Sequence, residues 1–315
     1  MSSAMRATMA RQPQELRRLL DDGDRAAQAA ERLAGRRVLL AGTGTSWHAA
    51  NHGAWLLRAA GVEAWPIQPL EAASCGVRPG EGDALVLLSH TGAKRYSAEL
   101  LATARAAAVP TVAIGGIDAP GVDLPTVARE TSAAYTASHL AALLRLAQLA
   151  VALGAALDLA PIPDAVAAAL DGPRPGVAPP RRLLEYAGAG TNAWTAAEGA
   201  LKVRETARIA SEGLMVEQFL HGPAVALDAR DTLVCLDGGG PGAERLEAVA
   251  TVVEAGGAQV HRIAATELDE QLSIFPLTVA VQRIALECAE ALGTDPDAFG
   301  YDVPGREAVW ERLAL

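Results

Sequence analysis

Three ionisable residues in one short segment are spaced for proton chemistry. In Ala197-Glu198-Gly199-Ala200-Leu201-Lys202-Val203-Arg204-Glu205, the residues Glu198, Lys202 and Glu205 stand at i, i+4 and i+7, on one face of a helix. A carboxylate in a partly dry pocket gains basicity by desolvation, while a nearby ammonium limits the rise, so such a trio can lift a proton from carbon and return it. The same spacing also describes an ordinary exposed Glu–Lys pair, and on the helix alone both readings stand. Downstream come Glu212 and then Glu217-Gln218-Phe219-Leu220-His221-Gly222-Pro223, which sets an imidazole before a Gly-Pro turn.

Two other segments are suited to anions. Gly42-Thr43-Gly44-Thr45-Ser46 follows the apolar run Arg37-Val38-Leu39-Leu40-Ala41, and Ser89-His90-Thr91-Gly92-Ala93-Lys94 follows Asp83-Ala84-Leu85-Val86-Leu87-Leu88. Short hydroxyls and backbone N–H groups at a helix start hold anions without blocking the backbone. Lysine occurs only at 94 and 202. Lys94 with Arg95 would set positive charge beside a phosphate; the plainer reading has both facing solvent in the first helical turn. His90 is either a further donor to the ligand or a tolerated loop residue. A dinucleotide site is disfavoured, because Trp47 stands where the third glycine of that fingerprint belongs, and no Walker lysine follows.

These turns need strands behind them and helices ahead. Trp47–Ala60 and Ser97–Ala108 read as helices, and Pro110–Ile114 reads as another strand. Apolar strands alternating with helices predict an α/β fold with a parallel sheet covered on both faces. After a long helical stretch from Thr136 to Leu157, residues 161–180 carry six prolines and predict a linker. The pattern then restarts: Arg182–Ala187, the turn Gly188-Ala189-Gly190-Thr191-Asn192, and a helix from Ala193 to Ile209. Further strands are expected at Thr232–Leu236 and Ala258–Ile263, with a last helix at Leu277–Leu292. The predicted layout is an N-terminal helical segment (1–31), a first α/β domain (32–160), the linker (161–180) and a second α/β domain with a tail (181–315).

Composition narrows the function classes. With 27 Lys+Arg against 37 Asp+Glu, the formal charge of the 315 residues is −10, and no localised basic patch stands out, so nucleic acid is not expected as a partner. Cys75, Cys235 and Cys288 are too far apart for a zinc site or a disulfide framework and read as reduced core thiols. The first twenty residues lack the apolar core of a signal peptide, and the run Ala141–Ala156 is interrupted by Arg145 and Gln148, so no membrane partner and a cytoplasmic location are expected. His48 and His52 have chelating spacing but no glutamate between them, and no metal or cofactor is expected.

Taken together, from about Ala34 to Pro304, Gly44-Thr45-Ser46, the Ser89–Lys94 loop and the 197–223 segment resemble the double-SIS (sugar isomerase) domain family. The resemblance implies two tandem SIS domains, each a mainly parallel sheet sandwiched by helices in a flavodoxin-like αβα arrangement. It implies a phosphorylated sugar or amino sugar as ligand, held by Gly44, Thr45, Ser46, Ser89, His90, Thr91 and Lys94, with Thr136, Ser138 and Glu198 also lining the pocket. It assigns the base role to Glu205, orientation of the substrate oxygen to Lys202, and ring opening to His221 contributed by the neighbouring subunit of a homodimer. The loop departs from the family's Ser-Gln-Ser-Gly-Glu-Thr at four of six positions. The tail reads Asp302-Val303-Pro304-Gly305-Arg306-Glu307 where the family's synthase carries a working lysine, and none of these 315 residues reads as a glutaminase domain. The implied activity is therefore a phosphosugar isomerase or an amino-sugar-phosphate deaminase or deglycase, rather than a glutamine-dependent synthase. The alternative is a non-catalytic sugar-phosphate sensor.

Overall fold

The apolar runs become the inner strands of two parallel sheets in the computed structural model, which describes residues 3–74, 76, 78–300 and 303–306. Cys75, Asp302 and the tail from Glu307 onward lie outside the described residues. In chain order the first elements are α1 (Ala4–Ala10), α2 (Gln12–Leu20), α3 (Gly23–Glu31), β1 (Arg37–Ala41), α4 (Thr45–Ala59), β2 (Ala64–Ile67) and α5 (Pro69–Ser74). They are followed by β3 (Asp83–Leu88), α6 (Arg95–Ala106), β4 (Thr111–Gly115), β5 (Leu124–Pro125), α7 (Ala137–Ala152) and α8 (Ile162–Asp171). The rest comprises β6 (Leu184–Gly188), α9 (Asn192–Thr206), β7 (Ser211–Met215), α10 (Val216–Leu220), β8 (Thr232–Asp237), α11 (Ala243–Ala255), β9 (Gln259–Ala264) and α12 (Ile274–Leu292). Two compact units result, one formed by residues 11–130, 135–160 and the segment from Gly300, the other by 1–10, 131–134 and 161–299.

The first unit holds a sheet in the order β2-β1-β3-β4-β5, every pairing parallel. All six residues of β3 are buried, as an inner strand covered on both faces requires. Leu39, Leu85 and Leu87 pack on Ala72 of α5 and on Leu100 and Ala104 of α6. On α7, Arg145 and Gln148 are buried rather than solvent-facing. Arg145 donates to the Asp22 carboxylate at 2.6 Å, to Pro125 O at 3.0 Å and to Gln148 Oε1 at 3.0 Å, and Gln148 donates to Leu19 O at 2.7 Å. The residues that break the apolar run thus pin α2 and α3 to α7, and a buried cation needs partners of this kind.

The second unit holds a sheet in the order β7-β6-β8-β9, again fully parallel. One face of β6 presents Leu184 and Tyr186 to Val203 of α9 and to Leu277, Val281, Ile284 and Ala285 of α12. The other presents Ala187 to Phe219 of α10 and to Leu246, Val249 and Val253 of α11. Gly199 lets α9 lie close: a Cβ there would stand 3.0 Å from both the Tyr186 ring and Val281. Cys235 and Cys288 are buried free thiols, pushed up to about 12 and about 11 by burial.

The structure differs from the sequence reading at two places. Half of the expected linker is α8, whose Pro161 and Pro163 sit in its first turn, where no N–H is missed, and whose Ala169 O and Gly172 O accept from Arg283 at 2.6 and 3.0 Å. Three of the four edge strands were not anticipated: β2 is broken by Pro66, which an edge tolerates, β5 spans only two residues, and β7 opens on Ser-Glu-Gly, whereas the fourth edge, β9, matches the strand expected at Ala258–Ile263. The stretch Glu270–Leu292 is long and apolar enough to cross a membrane, yet 78% of its apolar window is buried, which makes it a core helix, in line with the helix expected at Leu277–Leu292.

Candidate functional site

The strand order β2-β1-β3-β4-β5 puts a topological switch point between β1 and β3, where loops leave the carboxyl ends of neighbouring strands. Both anion turns anticipated for the first half lie there. Gly44, at φ 60°, opens α4, and Thr45 and Ser46 form its half-buried first residues. At the other loop, Ser89 continues β3 by donating its N–H to Ile114 O at 3.0 Å, and Gly92 N–H closes the turn on Ser89 O at 3.2 Å. Thr91 Oγ1 accepts from Ala93 N–H at 3.3 Å. Lys94 is the exposed residue before α6, while Arg95 is engaged with Glu99 at 3.0 Å. A second switch point separates β6 from β8, and its turn is shaped by the same constraint. A Cβ on Gly188 would strike Asn192 O at 2.2 Å, as one on Gly42 would strike Ser46 O at 2.3 Å.

Two hydroxyls expected to face a ligand have another occupation. Glu130, itself buried, accepts from the N–H groups of Thr136 and Ser138 at 2.9 and 2.8 Å and from the Thr136 hydroxyl at 3.0 Å. The Ser138 hydroxyl also donates to it. The carboxylate thereby satisfies the orphan donors that open α7. Thr136 and Ser138 are buried, and the observed bonds give their hydroxyls to this cap. His52 and His139 meet inside the unit with ring centroids 6.2 Å apart.

The trio on α9 lies in the second unit, and the exposed-pair reading does not describe it. Glu198 and Lys202 are 0% and 1% exposed, and the Glu205 side chain only 13%. The Lys202 ammonium donates to Glu205 and stands 3.4 Å from Glu198 Oε1. Close packing of α9 against β6, β7 and α12 removes water from this face, so the single cation offsets two carboxylates where Coulombic effects are strong. His221 lies on the surface of the same unit, 71% exposed, with Nε2 3.2 Å from Glu217 Oε1. Its hydrogen-bonding partner is Glu217, which Arg245 also grips at 2.8 Å, rather than a member of the Lys202 cluster.

One ionisable group passed unnoticed in the sequence. Glu185 sits in the middle of β6, opposite Glu212 of β7, and is 2% exposed, with no partner for its Oε2. Burial first, then the negative charges of Glu212 and Asp231, push its carboxyl up to about 7. The signal was a lone acid inside the apolar run Leu183–Ala187.

No family model matches the chain. Among curated proteins, it is 30% identical over 135 residues to a glutamine–fructose-6-phosphate aminotransferase (isomerizing) of Sphingobium yanoikuyae, a match spanning 38% of this chain and 86% of that one. A protein of the same name from Thermococcus kodakarensis is 29% identical over 131 residues, 37% of this chain, and the match spans only 22% of that relative's length. Among solved structures, the C-terminal domain of glucosamine-fructose-6-phosphate aminotransferase from Francisella tularensis superposes with a TM-score of 0.79 at 18% identity, covering 94% of this chain and 98% of that one. Glucosamine-6-phosphate deaminase from Thermotoga maritima gives 0.75 at 19% identity, covering 94% and 97%.

Proposed function

This chain belongs to the SIS-domain sugar isomerase family, and from that premise we propose that it binds a phosphorylated sugar or amino sugar and moves a proton between adjacent sugar carbons. On this reading the two units are tandem SIS domains, and the activity is that of an isomerase or an amino-sugar-phosphate deaminase or deglycase. The observation that carries it is the ammonium of Lys202 held in the dry interior between Glu198 and Glu205.

Glu205 serves as the base. It keeps partial access to solvent, unlike Glu198, and so is the member of the trio able to meet a substrate carbon. Lys202 steadies the oxygen on which negative charge grows in the enediol, and a fixed cation favours that charge more than the neutral carbonyl before it. Glu198 keeps the ammonium in place. The Gly44–Ser46 and Ser89–Lys94 turns take the phosphate through backbone N–H groups and hydroxyls. His221 assists ring opening in a second copy of the chain, in keeping with its exposed position and its bond to Glu217 instead of to the trio.

The test is isotope exchange. Fructose 6-phosphate, glucosamine 6-phosphate and a fructosamine 6-phosphate are incubated with the protein in heavy water, and deuterium beside the carbonyl is followed. The expected result is incorporation that Glu205→Gln abolishes while ligand binding remains. Tight binding without exchange from any of the three would mark the protein as a sugar-phosphate sensor.

A further inference from the structure

The end of β3 holds more unsatisfied polarity than a resting loop needs. Ser89 is 9% exposed and its Oγ has no hydrogen-bond partner. His90 follows it, and neither Nδ1 nor Nε2 has a partner or contact with solvent. The imidazole is held in place: its ring stands edge-on to Tyr135 with centroids 5.0 Å apart, a Cβ on Gly116 would meet its Cε1 at 3.1 Å, and its backbone O accepts from Gly116 N–H at 2.9 Å. Buried donors and acceptors without partners cost free energy unless something else satisfies them.

Burial favours the neutral form of this imidazole. Burial pushes it below the usual histidine range; Glu130 opposes this and Arg129 reinforces it. Glu130 is a poor counter-ion, because its carboxylate is already taken up by the N–H groups and hydroxyls at the start of α7. Arg129 and Lys94 are exposed cations, and Tyr135 offers a ring. An imidazolium here therefore lacks an anionic partner from the protein, and an external anion would supply one.

We propose that anion binding at the Ser89–Lys94 turn is proton-coupled through His90, which takes one proton from solvent as the anion seats against Ser89 Oγ, the imidazole and the N-terminus of α6. The inference rests on the reading of this turn as the phosphate cradle, and deepens it by assigning the cradle a proton. A phosphate or sulfate group is the chemical class it takes, and affinity rises as the solution becomes more acidic.

Titration calorimetry on the full chain tests it, with sodium sulfate, which does not ionise between pH 6 and 8, and with fructose 6-phosphate at pH 8, where a phosphate whose second pKa is about 6 is already a dianion. Paired buffers of different ionisation enthalpy report the protons taken up. The expected result is uptake approaching one proton and a sulfate affinity that falls by up to about tenfold per pH unit as pH rises. In His90→Gln, and in His90→Asn as a second variant, affinity becomes flat with pH. Binding without proton uptake, or uptake that persists in both variants, overturns the inference while leaving the cradle intact. Failure of both anions to bind overturns the cradle reading itself and the inference with it.

Discussion

Replacing Glu185 with glutamine should make the second unit more stable, and only above a defined pH. The carboxyl ionises at about 4.5 in the unfolded chain and at about 7 in the folded protein, because burial and the charges of Glu212 and Asp231 oppose its negative form. Below pH 4.5 it is protonated in both states and costs nothing. From pH 4.5 to 7 the unfolded chain gives up the proton while the folded one keeps it, so stability falls as pH rises. Above pH 7 the penalty is complete, and the gap between the two pKa values amounts to roughly 3 kcal/mol. Glutamine keeps the shape and removes the charge. Urea melts of the full chain at pH 4.5, 6 and 8 should therefore show no difference at the lowest pH and a gain of up to about 3 kcal/mol at the highest, worth about 6–10 °C in the melting temperature of a unit this size. A gain of equal size at every pH, or a loss at pH 8, would refute the assignment of the cost to ionisation.

Lys202→Met deprives the buried Glu198 and the partly buried Glu205 of this cation and should destabilise the protein by about 3–5 kcal/mol. Adding Glu198→Gln should restore part of that loss in the same melts, whereas strictly additive losses would mean the two side chains do not interact. Glu130→Ala removes the acceptor that caps α7, at a cost of about 2–3 kcal/mol; amide exchange at Thr136 and Ser138 should accelerate, and unchanged exchange would count against the cap. Gly199→Ala forces a methyl against Tyr186 and Val281 and should cost about 1–3 kcal/mol by overpacking, read as a lowered denaturation midpoint with an unchanged denaturant slope.

The inner strands and the turns after them were legible because an apolar run ending in glycine and hydroxyl residues has few other uses in a parallel sheet. The trio on α9 was legible from its spacing, but spacing could not say that the face is dry; packing against β6, β7 and α12 decides that. Arg145 and Gln148 were legible only as breaks in an apolar run, because the partners that bury them, Asp22 and Leu19, arrive from far along the chain. The edge strands β2, β5 and β7 escaped notice because Pro66 breaks the first, the second spans two residues and the third opens on Ser-Glu-Gly, while the edge strand β9 was legible; the proline count hid α8 because prolines at a helix start look the same as prolines in a linker. Thr136 and Ser138 were placed by the family resemblance, which could not say that their hydroxyls donate to Glu130 at the start of α7. Glu185 stayed hidden because alternation places an acid on a solvent face unless a second layer covers that face, and here α10 and α11 do.

The apolar character of α12 has a consequence for the order of assembly. A ribosome delivers this helix after every other strand and helix of its unit, yet α9, α8 and the inner face of β6 all rest on it. Until about residue 292 has emerged, the growing chain carries a half-built sheet with an oily flank and nothing to cover it, the kind of intermediate that chaperones hold. The first unit needs none of these residues for its sheet and is free to close while its companion is still being made.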